Sequence, residues 1–200
     1  MTKILLIDNH FYNNERFNTF FTDSQIIIVS NDLLPFLDPK ALTNIDLIVS
    51  SGSEHDLTQE EYDKRPGWQA EINLIQNTTI PFLGICFGHQ MVAKAFDSEI
   101  ISTPKIIRFE TIKITDPNFS NLKNPIVWEY HKFSISKLSD QMESLAIYEP
   151  FQTHEIIKHK TKPIWGTQFH PERDPQKQDG RLIIRNILDQ MGLTRIEVIT

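Results

Sequence analysis

Pro81-Phe82-Leu83-Gly84-Ile85-Cys86-Phe87-Gly88-His89-Gln90 holds the only cysteine in the chain. The apolar run from Ile80 to Ile85 reads as a buried strand. Met91-Val92-Ala93-Lys94-Ala95-Phe96 reads as a helix with Met91, Val92, Ala95 and Phe96 on one face. Cys86 therefore sits on a strand-to-helix turn, with Gly84 and Gly88 at equal spacing on either side. That is the pattern of a nucleophile elbow, in which a sharp turn lifts one side chain off the end of a sheet. The Phe87 amide at the start of the helix is unpaired by helix geometry, and the helix dipole there favours negative charge, a thiolate included.

Working outward, the chain alternates strand and helix. Ile4 to Ile7 is an all-apolar run closed by Asp8-Asn9-His10, as in a parallel sheet covered on both faces. Residues 11–22 fit a helix with an aromatic face, Gln25 to Val29 a second strand, and Asp46 to Ser50 a third. The third strand runs into Ser51-Gly52-Ser53, where a glycine lets backbone amides approach a ligand. Residues 54–69 read as a surface loop or short helix, and Gln69 to Asn77 as the helix before the cysteine strand. This order predicts a doubly wound α/β fold, a mostly parallel sheet flanked by helices in three flavodoxin-like layers.

After Ser98 the pattern shortens. Glu99–Ser102, Ile106–Phe109 and Thr111–Thr115 read as short antiparallel strands, and 116–125 as a turn-rich loop. Ile126–Tyr130 is a strand ending in His131-Lys132-Phe133. Leu145–Tyr148 and His154–Lys158 follow, and Pro163–Phe169 delivers His170-Pro171-Glu172. Asp174 to Gly180 is a polar loop, and Arg181–Met191 is a closing helix stopped by Gly192.

Composition narrows the function. The chain has 200 residues, room for a single domain over 1–200 with a substantial core. A net charge of −6, with no run of Lys or Arg longer than two, argues against nucleic acid and anionic membrane as partners. No apolar run approaches the ~20 residues of a membrane span, and no signal peptide is evident, so a cytoplasmic location is expected. One cysteine excludes an internal disulfide and a multi-cysteine metal site. No metal or cofactor is expected, since neither a phosphate-loop nor a dinucleotide glycine pattern occurs.

A nucleophilic cysteine needs a base and a group to orient that base. Of the seven histidines, only His170 is followed by a proline and then a carboxylate. In an extended segment, positions 170 and 172 face the same side, so Glu172 can hold one ring nitrogen and leave the other for Cys86. A lone buried cysteine is commonly a small core residue, and a His-Pro-Glu tripeptide alone is weak. Together with the glycine loop they favour catalysis. Asp8 and Asn9 read as caps, and His89 as packing or chemistry. His10, His55, His154 and His159 read as surface residues.

Gly84-Ile-Cys86-Phe-Gly88-His-Gln90 with Gly166-Thr-Gln-Phe-His170-Pro-Glu172 resembles the class I (triad-type) glutamine amidotransferase family. The resemblance implies that Cys86 attacks the side-chain amide of glutamine, with a glutamyl thioester, ammonia and then glutamate as products. It implies His170 as base and then acid, Glu172 as its orienter, and the amides of Phe87 and Gly52 as oxyanion donors. Gln90 matches a glutamine-pocket residue, and His131, Lys132 and Phe133 match a segment that holds the amino-acid end of the substrate. The loop Ser50 to Glu54 departs from the glycine- and proline-rich form common in the family, with only Gly52 matching. The expected partner is a separate synthase or synthetase subunit that receives ammonia. Two other readings stand beside this one: a stand-alone hydrolase of γ-glutamyl amides or peptides using the same triad, and a non-catalytic regulatory member of the fold.

Overall fold

The computed structural model describes residues 1–10, 14–173 and 179–199, leaving aside the side chain of Gln59. In chain order the first half contains β1 (Thr2–Asp8), α1 (Glu15–Phe20), β2 (Phe21–Thr22), β3 (Ser24–Ser30), β4 (Leu47–Ser50), α2 (Gln59–Lys64), α3 (Pro66–Asn77), β5 (Phe82–Ile85) and α4 (Phe87–Ala95). The second half contains β6 (Glu99–Thr111), β7 (Lys113–Ile114), β8 (Ile126–Lys137), β9 (Met142–Tyr148), β10 (Thr153–His159), β11 (Ile164–Thr167), α5 (Asp179–Gln190) and β12 (Glu197–Val198). Short 3₁₀ turns cover Asn31–Phe36, Pro39–Leu42 and Pro171–Arg173.

One sheet runs β3-β1-β4-β5-β11-β10-β8-β6, with β9 and β7 branching from β10. The pairs from β3 through β11 are parallel, and the pairs beyond β11 are antiparallel. Strand side chains alternate between the two faces. Ile4 and Leu6 enter one core with Phe17, Phe20, Ile183 and Ile187. Leu5 and Ile7 enter the other with Trp68, Ile72, Met91 and Val92. The doubly wound, three-layer α/β reading therefore holds. Strand order reverses around β1, which has β3 on one side and β4 on the other. In sheets of this kind, ligands bind beyond the carboxyl ends of the strands near such a reversal. Asn9, Ser51 and Cys86 all lie there.

The antiparallel part is more extensive than the sequence pattern suggested. The separate strands read at 99–102 and 106–109 are one strand, β6, paired with β8 along its length. A register shift between Ser102 and Ile106 absorbs the interruption at Thr103-Pro104-Lys105 and lets the ladder continue. β8 likewise does not stop at Tyr130. It carries His131-Lys132-Phe133 in its middle and ends at Lys137. Part of the helix read over 11–22 lies outside the described residues. Within them, helix covers Glu15–Phe20, and Phe21–Thr22 pairs with β12 instead. Most of the loop read at 174–180 also lies outside the described residues.

Candidate active site

The elbow is built by contact as much as by conformation. Cys86 has φ +54° and ψ −100°, a backbone state that side chains disfavour. Its amide donates to Thr167 O at 2.8 Å, which ties the turn to β11. A Cβ placed on Gly84 would lie 2.3 Å from Gly88 O, and one on Gly88 would lie 2.4 Å from Ser50 O. The two flanking glycines therefore let β5, the start of α4 and the end of β4 meet at backbone distance. Gly88 N donates to Ser51 O at 3.1 Å across that contact.

His170 follows β11, the strand beside β5, and is thereby carried to the elbow. Its Nδ1 donates to Glu172 Oε1 at 2.7 Å. Pro171–Arg173 forms a 3₁₀ turn closed by Arg173 N donating to His170 O, so the segment is not extended as expected. The tight turn brings the two side chains together all the same. Both are buried, at 1% and 7% exposure. Burial lowers the pKa of His170, but the Glu172 carboxylate and the Cys86 sulfur, each also a hydrogen-bond partner of the ring, outweigh it and raise the pKa to about 9. With Nδ1 held by Glu172, Nε2 is the nitrogen left for the sulfur.

Cys86 is 4% exposed and lies on the wall of a cavity of about 140 Å³. Ser53 to Asp56 form one side of the cavity, Tyr130 to Phe133 the other, with Phe87, Gln90 and Lys105 also lining it. Gln90, His131, Lys132 and Phe133 are thus gathered around Cys86, and Gly52 is buried just before Ser53. Gln90 Nε2 donates to Phe133 O at 3.0 Å and to Gln168 Oε1 at 3.4 Å. Lys132 is already engaged, its Nζ 2.8 Å from Asp56 Oδ2. Tyr130 OH donates to Glu54 Oε2 at 3.1 Å, so two contacts join the loop after β4 to β8 across the cavity.

Gln168 and Tyr130 lie inside stretches singled out by sequence but had no role assigned. Gln168 Nε2 approaches Cys86 Sγ at 3.8 Å, and the thiol approaches Tyr130 O at 3.6 Å. His89 is fully buried, its Nε2 3.0 Å from His154 O and its ring packed on Gly166. Burial lowers its pKa to about 3, so it is neutral there. Three histidines read as surface residues are placed differently, among them half-buried His154, whose Nδ1 lies 2.8 Å from Ser144 Oγ. His159 is buried against Phe96, with ring centroids 4.5 Å apart, and half-buried His55 lines the cavity.

Among the described residues, one group has metal-ligand spacing: Glu129, His131 and Glu155, whose ligand atoms lie within 4.8 Å of one another. His131 Nδ1 donates to Phe133 O, and its Nε2 is 3.1 Å from Glu129 Oε2. Burial raises Glu129 to about 8 and Glu155 well above the ordinary carboxyl range, and lowers His131. Burial thus favours the protonated form of both carboxyls.

The glutamine amidotransferase class-I family model matches residues 5–190. A glutamine-hydrolyzing GMP synthase subunit of Methanothermobacter thermautotrophicus is 31% identical over 194 residues, covering 94% of this chain and 98% of that one. Anthranilate synthase component 2 of Cyanophora paradoxa is 31% identical over 198 residues, covering 93% and 98%. A crystal structure from Thermoplasma acidophilum, of a protein provisionally described as a GMP synthase subunit, superposes with a TM-score of 0.80 at 27% identity, covering 98% of this chain and 96% of that one.

Proposed function

The chain belongs to the class-I glutamine amidotransferase family, and from that premise we propose that it releases ammonia from glutamine through a thioester on Cys86 and passes it to a separate synthase chain. The observation that carries this reading is the buried His170–Glu172 pair, 2.7 Å apart, beside a cysteine held at positive φ. His170 has taken the thiol proton before the sulfur attacks the amide carbon, as its raised pKa favours. The carbonyl oxygen becomes an oxyanion facing the amides of Phe87 and Gly52. Each such donor is worth roughly 3 kcal/mol of barrier in a well-studied hydrolase.

The tetrahedral intermediate collapses as the C–N bond breaks. The electron pair leaves with nitrogen, which takes the proton from His170, and ammonia departs. A pKa of about 9 keeps that proton on the ring at neutral pH until the leaving group needs it. Water then attacks the thioester with His170 as base, the C–S bond breaks, and glutamate leaves. Glu172 keeps the ring oriented and stabilises its charged form throughout.

Gln90 has both amide hydrogens committed, to Phe133 O and Gln168 Oε1, so it offers its own Oε1 to the substrate carboxamide. Glu54, Asp56, Lys105 and Lys132 place charges of both signs around the cavity, which suits an amino acid with both its termini charged. The relatives are named as parts of multi-chain synthases, and that likeness supports a separate acceptor chain. A lone nucleophilic thiol suits a reducing cytoplasm.

The test is glutamate release from glutamine, alone and with a GMP synthase or anthranilate synthase partner chain added, beside a panel of γ-glutamyl peptides. Cys86→Ala is expected to abolish release. Wild-type release by that variant refutes the mechanism. Turnover of the peptides without turnover of glutamine makes the chain a stand-alone γ-glutamyl hydrolase instead.

A further inference from the structure

Helix α3 lies behind both expected oxyanion donors. Its Trp68 packs on Phe87, with ring centroids 5.0 Å apart, and so backs the start of α4. One turn along, Glu71 is fully buried and points at the end of β4. Its Oε1 accepts from Ser50 Oγ, and its Oε2 accepts from Asn31 Nδ2 at 2.6 Å. Ser50 Oγ in turn accepts from Asn9 Nδ2 at 2.9 Å. The next residue, Ser51, is held from three sides. Its N donates to Ile7 O, its O accepts from Gly88 N, and its Oγ accepts from Asn9 N at 3.0 Å. Gly52 follows directly, so its amide is aimed by a backbone anchored at Ser50 and Ser51.

Among the described residues no cation lies beside this carboxyl, and a carboxyl sealed from water that way is costly. Stability alone is better served there by an apolar side chain of similar size. Burial raises Glu71 to about 7, while the hydrogen bonds from Ser50, Asn9 and Asn31 oppose the rise. Those three neutral groups, from β4, the β1 end and the turn after β3, are what face it among the described residues.

We propose that Glu71 is a positioning residue for the oxyanion hole, fixing the Ser50–Gly52 backbone through Ser50 so that the Gly52 amide meets the developing charge. The inference rests on the reading of Gly52 and Phe87 as oxyanion donors. Because an oxyanion exists only in the transition state and the tetrahedral intermediate, loss of the anchor lowers kcat and leaves glutamine binding in place.

The experiment compares wild type with Glu71→Ala, Glu71→Gln and Ser50→Ala. It measures kcat and KM for glutamine, the rate of Cys86 alkylation by iodoacetamide, and thermal unfolding. Alkylation by iodoacetamide forms no oxyanion, so it reports the Cys86–His170 pair alone. Glu71→Ala and Ser50→Ala are expected to lower kcat on the order of 10- to 100-fold, with KM and the alkylation rate each changing less than about threefold. Glu71→Gln recovers much of kcat, because a flipped Asn31 amide donates or accepts as the new side chain requires. A kcat unchanged in folded Glu71→Ala or Ser50→Ala overturns the inference. So does a fall in kcat matched by the fall in alkylation rate. If Glu71→Ala does not fold, Ser50→Ala decides alone. A wild-type chain with no glutamine hydrolysis, alone or with a partner chain, sinks the functional reading itself, a result distinct from either of these.

Discussion

Glu71 lies behind the parallel half of the sheet, and Glu129 with Glu155 lies within the antiparallel half. All three carboxyls are nearly sealed from water and raised by burial. Their surroundings differ in kind. Glu71 meets neutral donors from three segments, each oxygen with its own partner. Glu129 and Glu155 meet each other and His131, which all titrate, with one neutral donor, the Thr153 hydroxyl, on Glu155. The first arrangement holds backbone in one place whatever its exact charge. The second needs a proton to be stable and changes character when that proton leaves. The parallel half, with its glycine contacts and donor-matched carboxyl, is built to place atoms. The antiparallel half is built as a wall, and its β8 presents Tyr130 to Phe133 to the cavity.

The largest test of this contrast is at the junction of the halves, where β11 delivers the His170–Glu172 pair. Glu172→Gln keeps the shape and removes the charge that holds the ring. Glutamate release is expected to fall by roughly 10³- to 10⁴-fold with KM little changed. Steady-state kinetics on folded protein checks it, and a loss under tenfold would deny Glu172 its role.

Next is Gly88→Ala. The added methyl lands on the Ser50 carbonyl, a backbone atom that cannot swing aside. A loss of about 1–3 kcal/mol in urea unfolding is expected, with activity falling further than stability alone explains. A tolerated alanine with full activity would show that the parallel half is looser than its contacts imply.

The smallest expected effect separates the two carboxyl sites by pH. Between about pH 4.5, where an unfolded glutamate ionises, and about 7, where Glu71 ionises in place, only the folded chain keeps that proton. The contribution of Glu71 to stability therefore falls as pH rises across this window and levels off above it. For Glu129 the same decline continues to about 8. His170, raised to about 9, makes urea midpoints fall toward pH 9 in every variant, so each variant is read as its difference from wild type. That difference is expected to change up to about pH 7 in Glu71→Gln and up to about pH 8 in Glu129→Gln. Identical profiles in the two variants would erase the distinction.

Much of this was legible in the chain itself, for reasons that differ by residue. Cys86 and His170-Pro171-Glu172 could be paired because each sits in a short local pattern whose chemistry needs the other. The parallel half was readable because all-apolar strands and helices alternate there. β6 reads as two strands because Thr103-Pro104-Lys105 breaks the pattern, whereas a register shift accommodates it in the sheet. β8 reads as stopping at Tyr130 because the polar pair His131-Lys132 follows, whereas the strand runs on to Lys137. Glu71 was invisible because a glutamate in a helical segment reads as solvent-facing. Its burial depends on Asn31, Ser50 and Asn9 arriving from elsewhere. His159 was misread for the same reason: its partner ring at Phe96 is 63 residues away in the chain.

The positive φ at residue 86 has a consequence for descent. A backbone of that shape suits glycine and strains a residue with a Cβ, and on the proposed mechanism the need for a sulfur is what keeps cysteine there. In a lineage that abandoned glutamine hydrolysis, selection for the thiol would lapse while the strain persisted. Conformational preference would then favour glycine at the position. On the proposed mechanism, a relative that keeps the flanking glycines but carries glycine at the elbow is expected to have lost glutamine hydrolysis.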